Sequence, residues 1–146
     1  MSVRKEKILS LAGINHENKS KEELQSYFSK ALNNGMHGLC FSPYEEGQQP
    51  GDIITEEQIR RRMEIIKPYT KWIRSFSCTD GNELIPQIAH EYGIKTMVGA
   101  WLGSDDEINK KEIANLIKIA KEGYVDLAAV GNEVMYRGDL TEDELL

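Results

Sequence analysis

Ala128-Ala129-Val130-Gly131-Asn132-Glu133-Val134-Met135 is the stretch on which the fold turns, an apolar run that becomes polar abruptly at Asn132 and Glu133, with Arg137 close behind. Apolar runs of this length suit a strand buried on both faces, as in a parallel sheet. Such a strand ends at the carboxylic edge, where parallel α/β folds place their chemistry. It delivers there a carboxylic acid beside an amide that can orient either a hydroxyl group or the acid itself.

Outward from this stretch the same pattern occurs three more times. Gly38-Leu39-Cys40-Phe41 predicts a first strand, Trp72-Ile73-Arg74-Ser75-Phe76-Ser77 a second and Ile94 to Leu102 a third, with the fourth beginning near position 125. Capping signals announce the helices between them. Ser20-x-x-Glu23 opens a helix with Leu24, Phe28, Ala31 and Leu32 along one face, stopped by Asn34-Gly35. Thr55-x-x-Gln58 opens another, with Ile59, Met63 and Ile66 on its buried face and an end near Pro68. A helix from about Glu83 to Tyr92 tolerates Pro86 in its first turn and closes at Gly93. In the next, Asn109 is the expected cap and Glu112 completes the box, with Ile113, Leu116, Ile117 and Ala120 on one face and Gly123 at the end. Thr141 to Glu144 repeats the start signal, followed by Leu145 and Leu146.

Strands that alternate with helices in this way make a parallel sheet. A doubly wound sheet would show a glycine-rich phosphate turn after its first strand, and Ser42-Pro43-Tyr44, opening a long loop rich in Pro and Gly, is nothing like one. An eight-unit barrel takes about 250 residues, so four units in a chain of 146 residues make half of one. The expected fold is therefore α/β, of (β/α)8 TIM-barrel type, with this chain carrying about the first four βα units. Residues 1–19 are expected to be a flexible leader and residues 20–146 the half barrel.

At 40% hydrophobic and 29% charged the composition is that of one soluble globular domain. A net charge of −6, with Lys and Arg interspersed among the acids, argues against nucleic acid and anionic membranes as partners. No apolar run approaches the roughly 20 residues of a membrane span. The start is charged and Ile8 to Ile14 is short and interrupted, so no signal peptide is expected and the chain as written belongs in the cytoplasm. Cys40 and Cys78 each fall inside a predicted strand, which favours free buried thiols over a disulfide or a metal site. Neither a metal nor a cofactor is expected.

The four strand ends present Pro43-Tyr44, then Arg74 with Phe76 and Ser77, then Trp101, then Asn132-Glu133. One acid, one amide, one cation and several aromatic rings suit a sugar, which carries hydroxyls along its edge and C–H groups on its faces. Each residue also has a plainer role open to it. Glu133 could pair with Arg74 or Arg137 and merely hold strand ends together, Trp101 and Phe76 could pack a core, and Arg74 could serve a structural ion pair at the barrel mouth.

Gly38 to Tyr44, Trp72 to Ser77, Gly93 to Leu102 and Val130-Gly131-Asn132-Glu133-Val134 resemble the first four strands of family 17 of the glycoside hydrolases, the β-1,3-glucanases and glucan glucosyltransferases. The resemblance covers Gly38 to Arg137. It implies a retaining glycosidase acting on β-1,3-glucan, with this chain as the N-terminal half of the catalytic barrel. It gives Glu133 the role of general acid/base and Asn132 that of holding the sugar next to the cleavage point, with Tyr44, Arg74 and Trp101 lining the cleft. A retaining mechanism needs a second carboxylate about 5–5.5 Å from the first. In the family that nucleophile is a Glu on strand seven, beyond this sequence, and none of the loop acids Glu45, Glu46, Asp80, Asp105 and Asp106 matches its motif. The chain alone is therefore expected to be inactive. The alternative is a non-catalytic glucan-binding or assembly module that associates through the open edges of a half barrel. A sugar-phosphate aldolase or isomerase ranks last, because no strand ends in the lysine of a Schiff base.

Overall fold

The computed structural model of the protein describes residues 16–146. Residues 1–15, and with them most of the expected leader and the Ile8 to Ile14 segment, lie outside the described residues. The chain divides after Asn34 into two compact units.

In the first unit helix α1 spans Lys21–Asn33. The Ser20 hydroxyl accepts from the Glu23 amide at 3.2 Å and the Glu23 carboxylate accepts from the Ser20 amide at 2.8 Å, so the predicted capping box is complete. No residue of α1 is buried, and Leu24 and Phe28 of its apolar face stand exposed.

The second unit is built on four parallel strands, β1 (Leu39–Cys40), β2 (Trp72–Arg74), β3 (Lys95–Ala100) and β4 (Leu127–Val130), paired in the order β1-β2-β3-β4. Each strand lies beside its neighbour in sequence. A doubly wound sheet reverses its order partway, so the observed order is that of a barrel wall.

Helix α2 (Glu56–Ile66) follows β1, with the Thr55 hydroxyl accepting from the Gln58 amide at 3.2 Å. Gln58 does not return to the cap; its side-chain amide donates to the Pro43 carbonyl at 2.8 Å and pins the β1 loop. Ile59 and Met63 are fully buried, as their spacing predicts. Pro68 sits in a 3₁₀ turn, Lys67–Tyr69, that ends the helix. Helix α3 (Ile85–Glu91) has Pro86 at its start, where no amide is missed. Gly81 before it has φ +91°, and a Cβ there would sit 2.0 Å from the Ile54 carbonyl oxygen, which leaves glycine as the residue that fits.

Helix α4 (Asp106–Lys121) differs from expectation at both its cap and its buried face. The cap is Asp105, whose carboxylate accepts from the Glu107 and Ile108 amides at 2.9 and 3.1 Å, and not Asn109. Asn109 is buried one turn later and exchanges two hydrogen bonds, 2.7 and 2.8 Å, with the backbone of Gly103. The buried face carries Asn109, Glu112, Leu116 and Ile119, while Ile113 and Ile117 are exposed. The helix is turned by its polar partners: Asn109 and Glu112 both meet backbone donors that would otherwise be buried unpaired.

Two apolar clusters result. Phe41, Ile54, Ile59, Met63, Ile73, Ile85, Ile88, Ala89 and Ile94 form one, and Cys78, Val98, Ala100, Leu116 and Ile119 the other. Strand two is shorter than predicted because the chain leaves the ladder after Ser75, whose amide still donates to the Met97 carbonyl at 3.0 Å: the Ser77 hydroxyl and the Cys78 amide turn to Glu112 instead. Cys78 is buried in that turn, not in a strand, and Cys40 lies in β1 but is exposed; both thiols are free. After β4 come two short helices, α5 (Val134–Arg137) and α6 (Glu142–Leu145), the latter with its Thr141–Glu144 box complete. No helix among the described residues is long and apolar enough to cross a membrane.

Candidate active site

The acid is carried by a tight turn at the end of β4. Gly131 leaves the strand with φ +78°, and its own amide donates to the Ala100 carbonyl on β3 at 3.1 Å. Its left-handed φ favours glycine, and a Cβ at this position would crowd the Leu145 Cδ1 at 2.8 Å and the Val134 Cγ1 at 3.0 Å, the side chains of α6 and α5 that close over the strand end. Glu133 follows with φ 53° and ψ 17°, a left-handed conformation that costs a non-glycine residue about 1–3 kcal/mol. It holds because Val134 behind it is 1% exposed and because the Glu133 carbonyl starts α5 by accepting from the Arg137 amide at 2.9 Å.

The side chain of Glu133 is exposed and makes no hydrogen bond or ion pair with the described residues. Both guanidinium groups that could have neutralised it are committed elsewhere. Arg74 donates through Nη2 to the Asn132 Oδ1 at 2.7 Å, and its Cζ lies 4.8 Å from the centre of the Phe76 ring. Its Nε is buried with no partner. Arg137 donates to the Asn132 carbonyl, to the Leu102 carbonyl at 2.6 Å and to the Asp139 carboxylate at 2.7 Å, with its Cζ 4.4 Å from the centre of the Trp101 ring. Asn132 is thus gripped at both ends, its side chain by strand two and its backbone by Arg137.

Along the carboxylic edge of β1 to β3 runs an open cleft of about 300 Å³. Phe41, Tyr44, Phe76 and Trp101 are the aromatic residues that line it, with Pro43, Ile108, Asn82 and Glu112 among its other walls. Of the five residues singled out by the sequence, Tyr44 and Trp101 line the cleft, Arg74 and Asn132 bond to one another, and Glu133 stands at the end of β4; the last three are not part of the cleft wall. The plainer roles are partly realised: Arg74 packs on Phe76 and serves an amide, and Trp101 covers a guanidinium, yet neither arginine pairs with Glu133.

Glu112 is the residue that sequence reasoning misassigns. It is 1% exposed and accepts from the Ser77 and Thr79 hydroxyls at 2.6 and 2.8 Å and from the Cys78 and Trp101 amides at 2.7 and 3.1 Å. It ties the turn after β2 to the end of β3, and so sets the backbone from which Trp101 projects. The signal was present in the spacing: an acid four residues before Leu116 and seven before Ile119 shares their face. Burial, reinforced by the negative charges of Glu112 and Glu83, pushes the neighbouring Cys78 thiol up to about 12, so it stays protonated and donates to the Gly99 carbonyl.

A singly wound parallel α/β sheet that carries an unpaired acid at the end of its fourth strand, next to an aromatic cleft, defines the class: a barrel-type α/β protein of which four βα units are present. The profile of the BtgE/BtgC glycoside hydrolase domain matches residues 38–146, and the chain belongs to that family. Among curated proteins it is similar to the glucan 1,3-beta-glucosidase of Schizosaccharomyces pombe, 32% identical over 129 residues that cover 84% of this chain and 39% of that protein. Among solved structures it is similar to the glycoside hydrolase family 17 beta-1,3-glucanosyltransferase of Rhizomucor miehei, with a TM-score of 0.59 at 24% identity over 75% of this chain and 41% of that one. The same values hold for an active-site mutant of that enzyme in complex with laminaritriose. The chain therefore spans about two-fifths of the length of these relatives.

Proposed function

We propose that this chain is the acid-bearing half of a β-1,3-glucan-active glycosidase barrel working with retention. Glu133 acts as general acid/base, Asn132, held by Arg74, keeps the sugar at the cleavage point, and Tyr44 and Trp101 line the path of the glucan. The nucleophilic carboxylate is supplied from outside these residues, about 5–5.5 Å from Glu133. The observation that carries the reading is the state of Glu133: exposed at the carboxylic end of a barrel strand, held in a costly backbone conformation, and left without a partner while two guanidiniums nearby are occupied by other groups. An exposed carboxyl that no neighbouring cation claims stays open to a bound substrate. The family and the names of the relatives support the substrate class.

The test is a protein that continues this chain through eight strands. Glu133→Gln there is expected to lower turnover of β-1,3-glucan by about 10²- to 10⁴-fold, the usual worth of a general acid, whereas the 146-residue chain is expected to be silent. Turnover by the chain alone, insensitive to Glu133→Gln, would overturn the proposal.

One observation favours a second reading, a glucan-binding assembly module. Among the described residues β1 and β4 are paired on one side only, and Leu127 and Val130 of β4 are 51% and 49% exposed. A dimer on size-exclusion chromatography that binds β-1,3-glucan oligosaccharides, with no turnover in the eight-stranded protein, would select it.

A further inference from the structure

Resting on the glycosidase reading above, we propose that Arg137 is a positioning residue that holds the Glu133 acid in register with the Trp101 wall of the cleft. The need for such a residue follows from the backbone. Glu133 sits in a left-handed conformation, and a non-glycine residue keeps that conformation only where its surroundings determine it from several sides. One side is the amide of Arg137 itself, which donates to the Glu133 carbonyl at 2.9 Å. The residue before the acid has left the strand ladder, and its carbonyl is taken by the Arg137 Nη1. The same guanidinium reaches back to β3 through Nη2, 2.6 Å from the carbonyl of Leu102, and lies 4.4 Å from the centre of the Trp101 ring. Asp139 accepts from its Nε at 2.7 Å and stops the plane from rotating.

One side chain therefore joins the peptide just before the acid to the carbonyl of the residue that follows the tryptophan, and covers the tryptophan ring. A planar fork does all of this at once, whereas an ammonium, though it has three donors, concentrates them at one point and has no plane to lay over the ring while reaching groups on two elements. Because Arg137 makes no ion pair with Glu133, its influence on the acid passes through the backbone and not through charge.

The eight-stranded protein carrying this chain is the system to test, with Glu133→Gln as reference and β-1,3-glucan oligosaccharide as substrate. Arg137→Lys and Arg137→Ala are each expected to lower kcat by about 10- to 100-fold, the scale of a sub-ångström to ångström misplacement of a reacting group. Added guanidinium ion at millimolar concentration is expected to restore part of the kcat of Arg137→Ala and none of that of Glu133→Gln. In the 146-residue chain carrying Trp72→Phe, so that Trp101 is the remaining tryptophan, both Arg137 variants are expected to raise quenching of Trp101 by acrylamide. If Arg137→Ala does not fold, Arg137→Lys carries the kinetic and the quenching arms. A folded Arg137→Lys with unchanged kcat and unchanged quenching, beside an inactive Glu133→Gln, overturns the role of Arg137 and leaves the glycosidase reading standing. An active Glu133→Gln overturns that reading instead, whatever the Arg137 variants do.

Discussion

Glu112 shows what a single buried charge requires. A carboxylate removed from water is tolerated only when its oxygens meet donors, and here two hydroxyls and two backbone amides converge on it. Its removal takes the acceptor from all four, of which the Cys78 amide is the buried one, each left unpaired at about 1–3 kcal/mol where water does not replace it. Glu112→Ala is accordingly expected to lower the stability of the chain by about 3 kcal/mol or more, read as a shift of the urea midpoint. Glu112→Gln, which keeps one acceptor oxygen but turns an amide group toward the remaining donors, is expected to lose less. A midpoint unchanged in Glu112→Ala would mean that water enters the turn after β2 and that the carboxylate contributes nothing to it. Glu133 is the opposite case, an exposed acid with no donor among the described residues, and the contrast between the two separates the structural carboxylate from the candidate catalytic one.

At the scale of an element, α4 carries two apolar stripes and can bury one. Leu116 and Ile119 share a face with Asn109 and Glu112, whereas Ile113 and Ile117 lie a third of a turn away and are 40% and 48% exposed. The stripe that also carries Asn109 and Glu112 is the buried one because these two polar members satisfy backbone groups at Gly103, Cys78 and Trp101 that no apolar side chain could serve. The orientation is checked by paired substitutions. Leu116→Ala is expected to cost about 2–5 kcal/mol through the cavity it leaves, while Ile113→Ser and Ile117→Ser are expected to stay within about 0.5 kcal/mol in the 146-residue chain. Equal losses on both stripes would place α4 in another rotation. The turn of Gly131, Asn132 and Glu133 belongs to the same scale, since Leu145 of α6 packs where a Cβ at position 131 would stand.

Over the whole second unit, the amino rim of the sheet carries a polar network of its own, apart from the rim that bears the candidate site. At the amino ends of β3 and β4, Asp126 accepts from the Thr96 amide at 2.9 Å and lies 3.0 Å from the His90 Nε2, while the Thr96 hydroxyl donates to the Tyr124 carbonyl at 2.7 Å. Burial is the largest single influence on the Asp126 carboxyl and pushes it up, but the Thr96 amide and His90, with the charges of His90 and Lys95, together outweigh it and hold the group below its ordinary value. A carboxyl with a depressed value in the folded state binds fewer protons there than in the unfolded chain. Its contribution is therefore complete above the ordinary carboxylate value of about 3.9 and disappears as the pH falls through the lower folded value. Asp126→Asn is expected to reduce the melting temperature at pH 7, with the gap to the parent closing as the pH drops below about 4. A gap that persists at low pH would assign the loss to shape and not to charge. At the other rim lie the candidate residues Glu133 and Asn132 and the aromatic cleft, together with the Glu112 anchor, so that rim carries structural bonds as well as the candidate site.

The sequence by itself determined the four strands, their parallel pairing, the capping boxes at Ser20 and Thr141, and the placement of Asn132-Glu133 at a strand end, because these follow from local period, turn chemistry and the order of elements. It determined too the resemblance that the family match bears out. Tertiary structure alone decided which groups face each other across those strand ends. Glu112 became a buried anchor and not a capping residue, Asp105 displaced Asn109 as the cap, and Arg74 and Arg137 closed on Asn132 and left Glu133 open. Each of these is a choice among donors and acceptors far apart in sequence. Such choices depend on distances of a few tenths of an ångström between elements, and no period or spacing along the chain encodes them.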